Sequence, residues 1–465
     1  MKQIIIFILT FLSFQIRAQE IKPEILEIAQ KIEKNNILES EHVGIAGETT
    51  DQYRNFIKLR DEATIDELIE LLKFKNSVVK GYVSWALADK KYIALYEILT
   101  EFLITGEKVT TQDGCVIYEN DLASEFYSRV FYQHFHNKLT SSDSLFFKMQ
   151  VQQLDSVILY SNKKNNLLSQ SLNNNNANPK TYDRIKELAK LKNNSSALVE
   201  LAKYRKQSDI PFFIKQGKNS FLAISVFPNN AFWSFLLGYK SQEKSLEYFL
   251  AISSFKNKSA IEVLSDIYKS CNSMQLIALD EALIKNYCVL YQDFILKIWE
   301  NHKIIDLTIT QRLIADCPEK ASLGFAKGLQ NNNEYKFIAL SDNYGTKDSI
   351  LPLLLNNVEK YNPILLIDIC RKNIEYSKFM ELATILNYVA KHQFSETIPE
   401  ILGRLNKKNI SFEIFHLTET LLSFENDEAN KELVKILTTK KEDWDSDNWS
   451  GHFRELFKEK NVKIE

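Results

Sequence analysis

The chain is 465 residues long, past the roughly 250–300 at which a single hydrophobic core stops growing, so two domains or an elongated repeat array are expected. Its 58 basic and 60 acidic residues leave a formal charge of -2, which argues against a nucleic-acid partner, whose phosphates call for a basic face. With only 12 Gly and 8 Pro it lacks the turn formers of sandwiches and Rossmann sheets, while 29 Phe and 20 Tyr supply bulk for helix interfaces, so the composition favours an all-α fold.

At the start of the chain, Lys2 precedes the 11-residue apolar run Ile4–Phe14, and Ile16-Arg17-Ala18 then offers a small residue before a cleavable bond. That order is the layout of a secretory signal peptide over residues 1–18. The run is shorter than the ~20 residues that span a bilayer, and no Cys follows it as in a lipoprotein signal. The expectation is an exported protein, periplasmic or secreted, with no membrane span after cleavage.

Gly44 and Gly47, within HVGIAGETT, have no Gly-Lys-Ser/Thr after them and read as a turn before a helix over Tyr53–Leu59 rather than as a phosphate loop. The clearest segment is Thr64 to Leu103. Thr64 and Glu67 make a capping box, and Ile65, Leu68, Ile69 and Leu72 recur at helical spacing. Lys75-Asn76 reads as the stop, with Asn in a left-handed cap. A second helix carries Val78, Val79, Tyr82, Val83, Ala86 and Leu87 on its buried face. A third, Tyr92–Leu103, is expected to turn Ile93, Tyr96, Leu99 and Phe102 or Leu103 inward.

This segment resembles HEAT repeats, the armadillo-type helical hairpins. Those repeats open their second helix with a polar residue, a small turn former, Val-Arg and then small residues; here Asn76, Ser77, Val79, Lys80, Val83, Ala86 and Leu87 stand at the matching positions. The chain departs by using Lys80 for Arg, Val83 for the first Ala, and Gly81 inside the helix. The resemblance implies an α-α superhelix, a solenoid of helical hairpins, and protein–protein binding. An echo follows at Leu191-Lys192-Asn193, Phe255-Lys256-Asn257, Arg371-Lys372-Asn373 and Lys407-Lys408-Asn409, all read as turns like Phe74-Lys75-Asn76; the last two are 36 residues apart, one helical-repeat period, and the middle pair 64 apart, about two.

Between these elements, Asp113-Gly114-Cys115 reads as a turn between helices, the Cys either an exposed thiol or a buried hydrophobe. His134 and His136 sit at i, i+2, which does not place two metal ligands on one helix face. The polar, Asn-rich stretch 161–179 reads as a loop or linker. It would separate an N-terminal HEAT-like domain, 19–160, from a C-terminal helical-repeat domain, 180–465; one continuous solenoid with an exposed loop is the alternative. Asn193-Asn194-Ser195 fits a glycosylation sequon but equally a turn with an N-cap. Cys115, Cys271, Cys288, Cys317 and Cys370 are widely spaced and read as buried hydrophobes, a Cys271–Cys288 disulfide being the alternative. Asp443, Asp445 and Asp447 approach a calcium loop, yet Asn448 and Arg454 occupy its sixth and twelfth positions, so a capping loop before a helix with Phe453, Leu456 and Phe457 is the reading.

No catalytic, cofactor-binding or metal-ligating set emerges, and no binding residues can be assigned. The expected function is a non-catalytic exported scaffold whose solenoid surface binds a protein or peptide. A carbohydrate-binding helical-repeat protein of the cell envelope is the first alternative, favoured if Trp233, Trp299, Trp444 or Trp449 lie exposed in one groove. A helical-toroid polysaccharide-active enzyme is the second, and it requires His134, His302, His392 or His416 to share a pocket.

Overall fold

The computed structural model describes residues 21–463 apart from 137–139, 164, 192–193, 331–335, 339–348, 408–409 and 446–448, together with the side chains of 134–136, 336, 338, 379 and 380. The expected leader over 1–18 lies outside the described residues. The chain is predominantly helical, as composition and periodicity indicate. It divides into two compact units, Met1–Arg205 and Lys206–Glu465. Within each unit, helices pack on their chain neighbours and on the next helix but one, the contact pattern of stacked hairpins.

The first unit runs α1 (Pro23–Asn35), β1 (Leu38–Val43), α2 (Asp51–Glu62), α3 (Ile65–Leu71), α4 (Ser77–Asp89), α5 (Leu95–Thr105), β2 (Lys108–Gly114), β3 (Val116–Asp121), α6 (Leu122–His136), α7 (Ser141–Tyr160) and α8 (Leu168–Asn175), then two further helices, Tyr182–Lys190 and Ser195–Lys203. The Thr64 capping box is present: the hydroxyl accepts from Glu67 N at 3.2 Å, and a Glu67 oxygen accepts from Thr64 N at 2.9 Å. Asn76 does not stop α3 in a left-handed conformation. It is extended and accepts from Val78 N and Val79 N, starting α4 instead, because an Asn oxygen satisfies two orphan amides there. Buried on all sides from Val78 to Ala88, α4 is the axis of this unit. Gly81 has a packing reason: a β-carbon there would stand 3.0 Å from Leu38, so its absence lets β1 approach the helix.

Three expectations change in this unit. Helix α5 starts only at Leu95, and its inward face is Leu95, Ile98, Leu99, Phe102 and Leu103. Ile93 and Tyr96 are 73% and 40% exposed, because Lys91 in a left-handed conformation delays the helix and turns its face. The Asn-rich stretch 161–179 is no plain loop: α8 lies within it, held by buried Leu167 and Leu172 and by Ser171, whose hydroxyl donates to Asp155 O at 2.9 Å. Asp113-Gly114-Cys115 turns between strands, not helices. Strands β1 and β2 pair parallel and β2 and β3 antiparallel, with positive φ at Gly114 in the hairpin turn and at Gly44 and Gly47 in the turn after β1. These strands lie beside α4 and are mostly half-buried or exposed.

The second unit begins with short helical pieces between Gln207 and Leu237 and continues through longer helices, among them α9 (Leu246–Ser253), α10 (Lys258–Tyr268), α11 (Ser273–Lys285), α12 (Gln292–His302), α13 (Leu307–Asp316) and α14 (Pro318–Leu329). Asn257 caps α10 through Ala260 N, as Asn76 caps α4, so part of the Lys-Asn echo is a repeated N-cap; after Lys192-Asn193 the cap is the following residue, Asn194, through Ala197 N. Arg371-Lys372-Asn373 is not a turn. It lies inside the helix Leu366–Tyr376, where buried Asn373 donates to Leu329 O and Ile369 O. Lys408 and Asn409, like Lys192 and Asn193 with its sequon, fall outside the described residues. A two-stranded parallel pair, Ile304–Asp306 with Lys336–Ile338, sits beside α11 and α12.

Candidate functional site

The first unit holds a cleft of about 700 Å³ lined by residues of β1, α2, the end of α4, α6 and α7. On α2, Tyr53, Ile57 and Arg60 fall at i, i+4 and i+7 and so share one face. On α6, Arg129, Tyr132 and Gln133 do the same at i, i+3 and i+4. Asp89 ends α4 between them, and Lys90 and Lys91 stand on the rim.

The floor is a hydrogen-bonded network converging on Asp89. Arg129 donates from Nε to Oδ1 at 3.0 Å and from Nη2 to Oδ2 at 2.5 Å. Gln133 donates from Nε2 to Oδ1 at 2.7 Å, and Arg60 Nη1 lies 3.6 Å from Oδ2. Beneath this network, Phe56 and Tyr82 stack at 5.1 Å and Trp85 meets both rings edge-on. The Arg129 guanidinium lies 5.5 Å from the Phe56 ring and 5.4 Å from the Trp85 ring, and Arg60 lies 5.8 Å from Phe56. Each such contact contributes about 0.5–2 kcal/mol, more as the site is drier. Burial opposes the Arg129 charge, but Asp89 outweighs it, so the guanidinium titrates above its ordinary range. Burial pushes the Tyr53 phenol up while Arg129 pulls it the other way, and the net shift is upward, so Tyr53 stays a neutral donor at physiological pH.

Such a cleft is built to hold polar groups. Arg60, Arg129, Lys90 and Lys91 line it with Glu41, Asp61 and Asp89, a nearly balanced set in which Arg129 pairs with Asp89 and Arg60 with Asp61, while Lys91 pairs with Asp143. The titratable side chains among the described lining residues are Glu41, Asp61, Asp89, Tyr53, Tyr132, Arg60, Arg129, Lys90 and Lys91, and Asp89 is paired with Arg129.

The residues weighed in the sequence are not brought together. His302 lies against Tyr268, His392 stacks on Tyr388 at 4.3 Å beside Glu359, and His416 packs on Phe412 beside Glu419, so these contacts place them at three separate positions. The side chains of His134 and His136 lie outside the described residues. Trp299 and Trp444 are buried; Trp233 and Trp449 are half-buried, packed on Phe255 and on Phe412 and Phe415. Cys115 is exposed, Cys370 buried and the other three intermediate, and none is bridged. Helix Ser450–Glu459 buries Phe453, Leu456 and Phe457 as expected, but without a side-chain cap, and Arg454 pairs with Asp445 at 3.2 Å. Among the described residues no three His, Cys, Asp or Glu side chains are grouped to hold a metal ion, and no helix is long and apolar enough to cross a membrane.

Comparison with family models, with curated proteins and with solved structures gave no match for this chain. Its function is therefore argued from its own residues. The cleft was not legible in the sequence. Asp89 precedes two lysines at a helix end, an ordinary capping pattern, and its partner Arg129 is 40 positions away.

Proposed function

We infer that this chain is an exported, non-catalytic HEAT-like scaffold, and that its first unit docks a polar, extended segment of a protein partner in the Asp89 cleft. The observation that carries the reading is the prearranged floor: three side chains from two helices, Arg60 and the pair Arg129 and Gln133, meet on the Asp89 carboxylate at the end of a third, with guanidinium planes held over aromatic rings. Fixing those groups beforehand lowers the ordering cost that a peptide ligand would otherwise meet. Balanced charge suits a peptide backbone with mixed side chains better than a bare anion or an apolar small molecule. The armadillo-type resemblance over residues 64–103 supports the same reading by analogy, and the apolar leader over 1–18 supports export. The glycan reading has less support, since Trp299 and Trp444 are buried and Trp233 and Trp449 are half-buried against Phe255 and against Phe412 and Phe415.

Panning a displayed library of random linear peptides on the purified chain tests this. Peptides are expected to be selected, and Arg60→Ala or Lys90→Ala should weaken them by ~10-fold or more, the ~1.4 kcal/mol of a good charged contact. Selection of no peptide by the wild-type chain, or affinities indifferent to both substitutions, would remove the basis for the proposal.

A further inference from the structure

We propose that the open edge of β3 is a second docking surface, which takes an extended, basic peptide segment of a protein partner as a fourth strand of the sheet. The proposal does not rest on the Asp89 cleft.

The sheet order is β1-β2-β3, so among the described residues β3 pairs on one side only. Val116, Ile117 and Tyr118 on that strand are 60%, 58% and 40% exposed, and Ile45 in the adjoining turn is fully exposed. That turn is tied to the hairpin, since Gly44 N donates to Gly114 O at 2.9 Å. Edge strands are ordinarily blunted by lysine, proline, a bulge or a covering element. Val116–Asp121 contains no lysine and no proline, and its register with β2 is continuous from Lys108↔Asp121 to Asp113↔Val116. The sheet also overruns its helical support. Val109 and Thr111 of β2 are buried at 2% and 3%, yet Tyr118, the cross-strand partner of Thr111 on the same face, is open. An added strand would supply the missing cover.

The backbone is oriented for it. Leu122 N donates to Glu107 O at 2.9 Å, which fixes the alternation of the antiparallel ladder. By that alternation Ile117 and Glu119 turn their N–H and C=O groups away from β2, toward the open edge. Main-chain pairing would then supply affinity and the exposed side chains selectivity, the logic of strand addition.

Charge decides the occupant. The three strands and the turn carry Glu39, Glu41, Glu48, Asp113, Glu119 and Asp121, against one cation, Lys108, which is already paired with Asp121 at 2.6 Å. Two copies of this edge would bring like charges together, and an anionic membrane would be repelled. A strand alternating apolar residues with Lys or Arg meets both the field and the exposed Val116, Ile117 and Tyr118.

The test is fluorescence anisotropy on the full chain with a labelled peptide alternating lysine and valine, against a matched peptide alternating glutamate and valine. The basic peptide is expected to bind, more weakly at high salt, and the acidic one not. Glu119→Lys should weaken binding by ~10-fold. Ile117→Pro should weaken it as much without altering charge, because it removes an edge N–H that β2 does not use; an unchanged melting temperature shows that the ladder survives. Arg60→Ala, in the cleft, should leave binding unchanged. Equal binding of both peptides, or binding untouched by Glu119→Lys and Ile117→Pro, overturns the proposal. So does loss with Arg60→Ala alone, which places the peptide in the cleft. Concentration-dependent dimers abolished by Ile117→Pro, or binding to phosphatidylglycerol vesicles in place of peptide, would equally refute it by naming another occupant.

Discussion

Asp89 holds the guanidinium of Arg129 at two points, Nε at 3.0 Å from one oxygen and Nη2 at 2.5 Å from the other. The side chains of Asp89 and Arg129 are only 9% and 15% exposed, and Arg60 and Gln133 complete the carboxylate's partners.

Removing the carboxylate leaves the Arg129 guanidinium, 15% exposed, without its carboxylate partner, while Arg60 keeps Asp61 at 2.8 Å. Asp89→Ala should therefore cost the first unit about 3–5 kcal/mol, read as a lowered urea midpoint. Asp89→Asn, which retains shape and acceptor but loses charge, should cost less. Equal stability of wild type and Asp89→Ala would show the network to be decorative.

Asp155 in α7 gives the same unit a pH dependence. Burial pushes its carboxyl up to about 6, although Tyr127 Oη donates to Oδ1 at 2.7 Å and Asn174 Nδ2 donates to Oδ2 at 3.1 Å. The folded state thus holds a proton that the unfolded chain releases near pH 4. The stabilisation is fully present below about pH 4 and is lost as pH rises to about 6, an effect of about 2–3 kcal/mol. Asp155→Asn should flatten that segment of the stability-against-pH curve, measured by chemical denaturation between pH 4 and pH 7.

In the second unit Asp280 is wholly buried in α11, and neither carboxylate oxygen has a hydrogen-bond partner. Burial first, and then the charge of Asp306, drives its carboxyl well above the ordinary range. The sign is again that of an acid preferring its neutral form, so ionisation at higher pH costs stability. Asp280→Asn, close in volume and uncharged, should raise the melting temperature at pH 7 and change it little at pH 4. A lower melting temperature at pH 7 would mean that the carboxylate is held by a group of opposite charge.

Gly328 and Gly324 on α14 separate steric need from helix propensity. A methyl at 328 would overlap the indole of Trp299, which is fully buried and donates to Phe325 O at 3.3 Å. A methyl at 324 would meet only the end of Leu296, at 2.8 Å. Gly328→Ala should destabilise by about 1–3 kcal/mol through overpacking. Gly324→Ala should lie near zero, since the ~1 kcal/mol gain in helix propensity offsets the Leu296 shift. Thermal melts of the two variants side by side check the contrast.

What could be read from the sequence follows the range of the interactions involved. The Thr64–Glu67 box and the α4 stripe from Val78 to Leu87 are local patterns within one or two turns, and both are in place. The inward face of α5 was misjudged because one left-handed residue, Lys91, displaced the helix start by a fraction of a turn. Strands β1 to β3 escaped notice because a mostly exposed hairpin has no apolar alternation to betray it, and β1 finds β2 about 70 positions later, as in Leu38↔Thr111. The cleft escaped for a similar reason: Arg60, Asp89 and Arg129 each look like an ordinary surface charge on its own helix. Only tertiary packing makes one network of them.

Photo-crosslinking tests the scaffold reading most directly: a peptide selected on the chain, carrying a photoreactive residue at its centre, is bound to the wild-type chain, irradiated, and the modified residues are identified by mass spectrometry. The account predicts adducts on the cleft walls, at Tyr53, Ile57, Arg60, Tyr132 or Gln133, that are lost in Arg60→Ala. Adducts confined to the second unit, with none in the cleft, would contradict it.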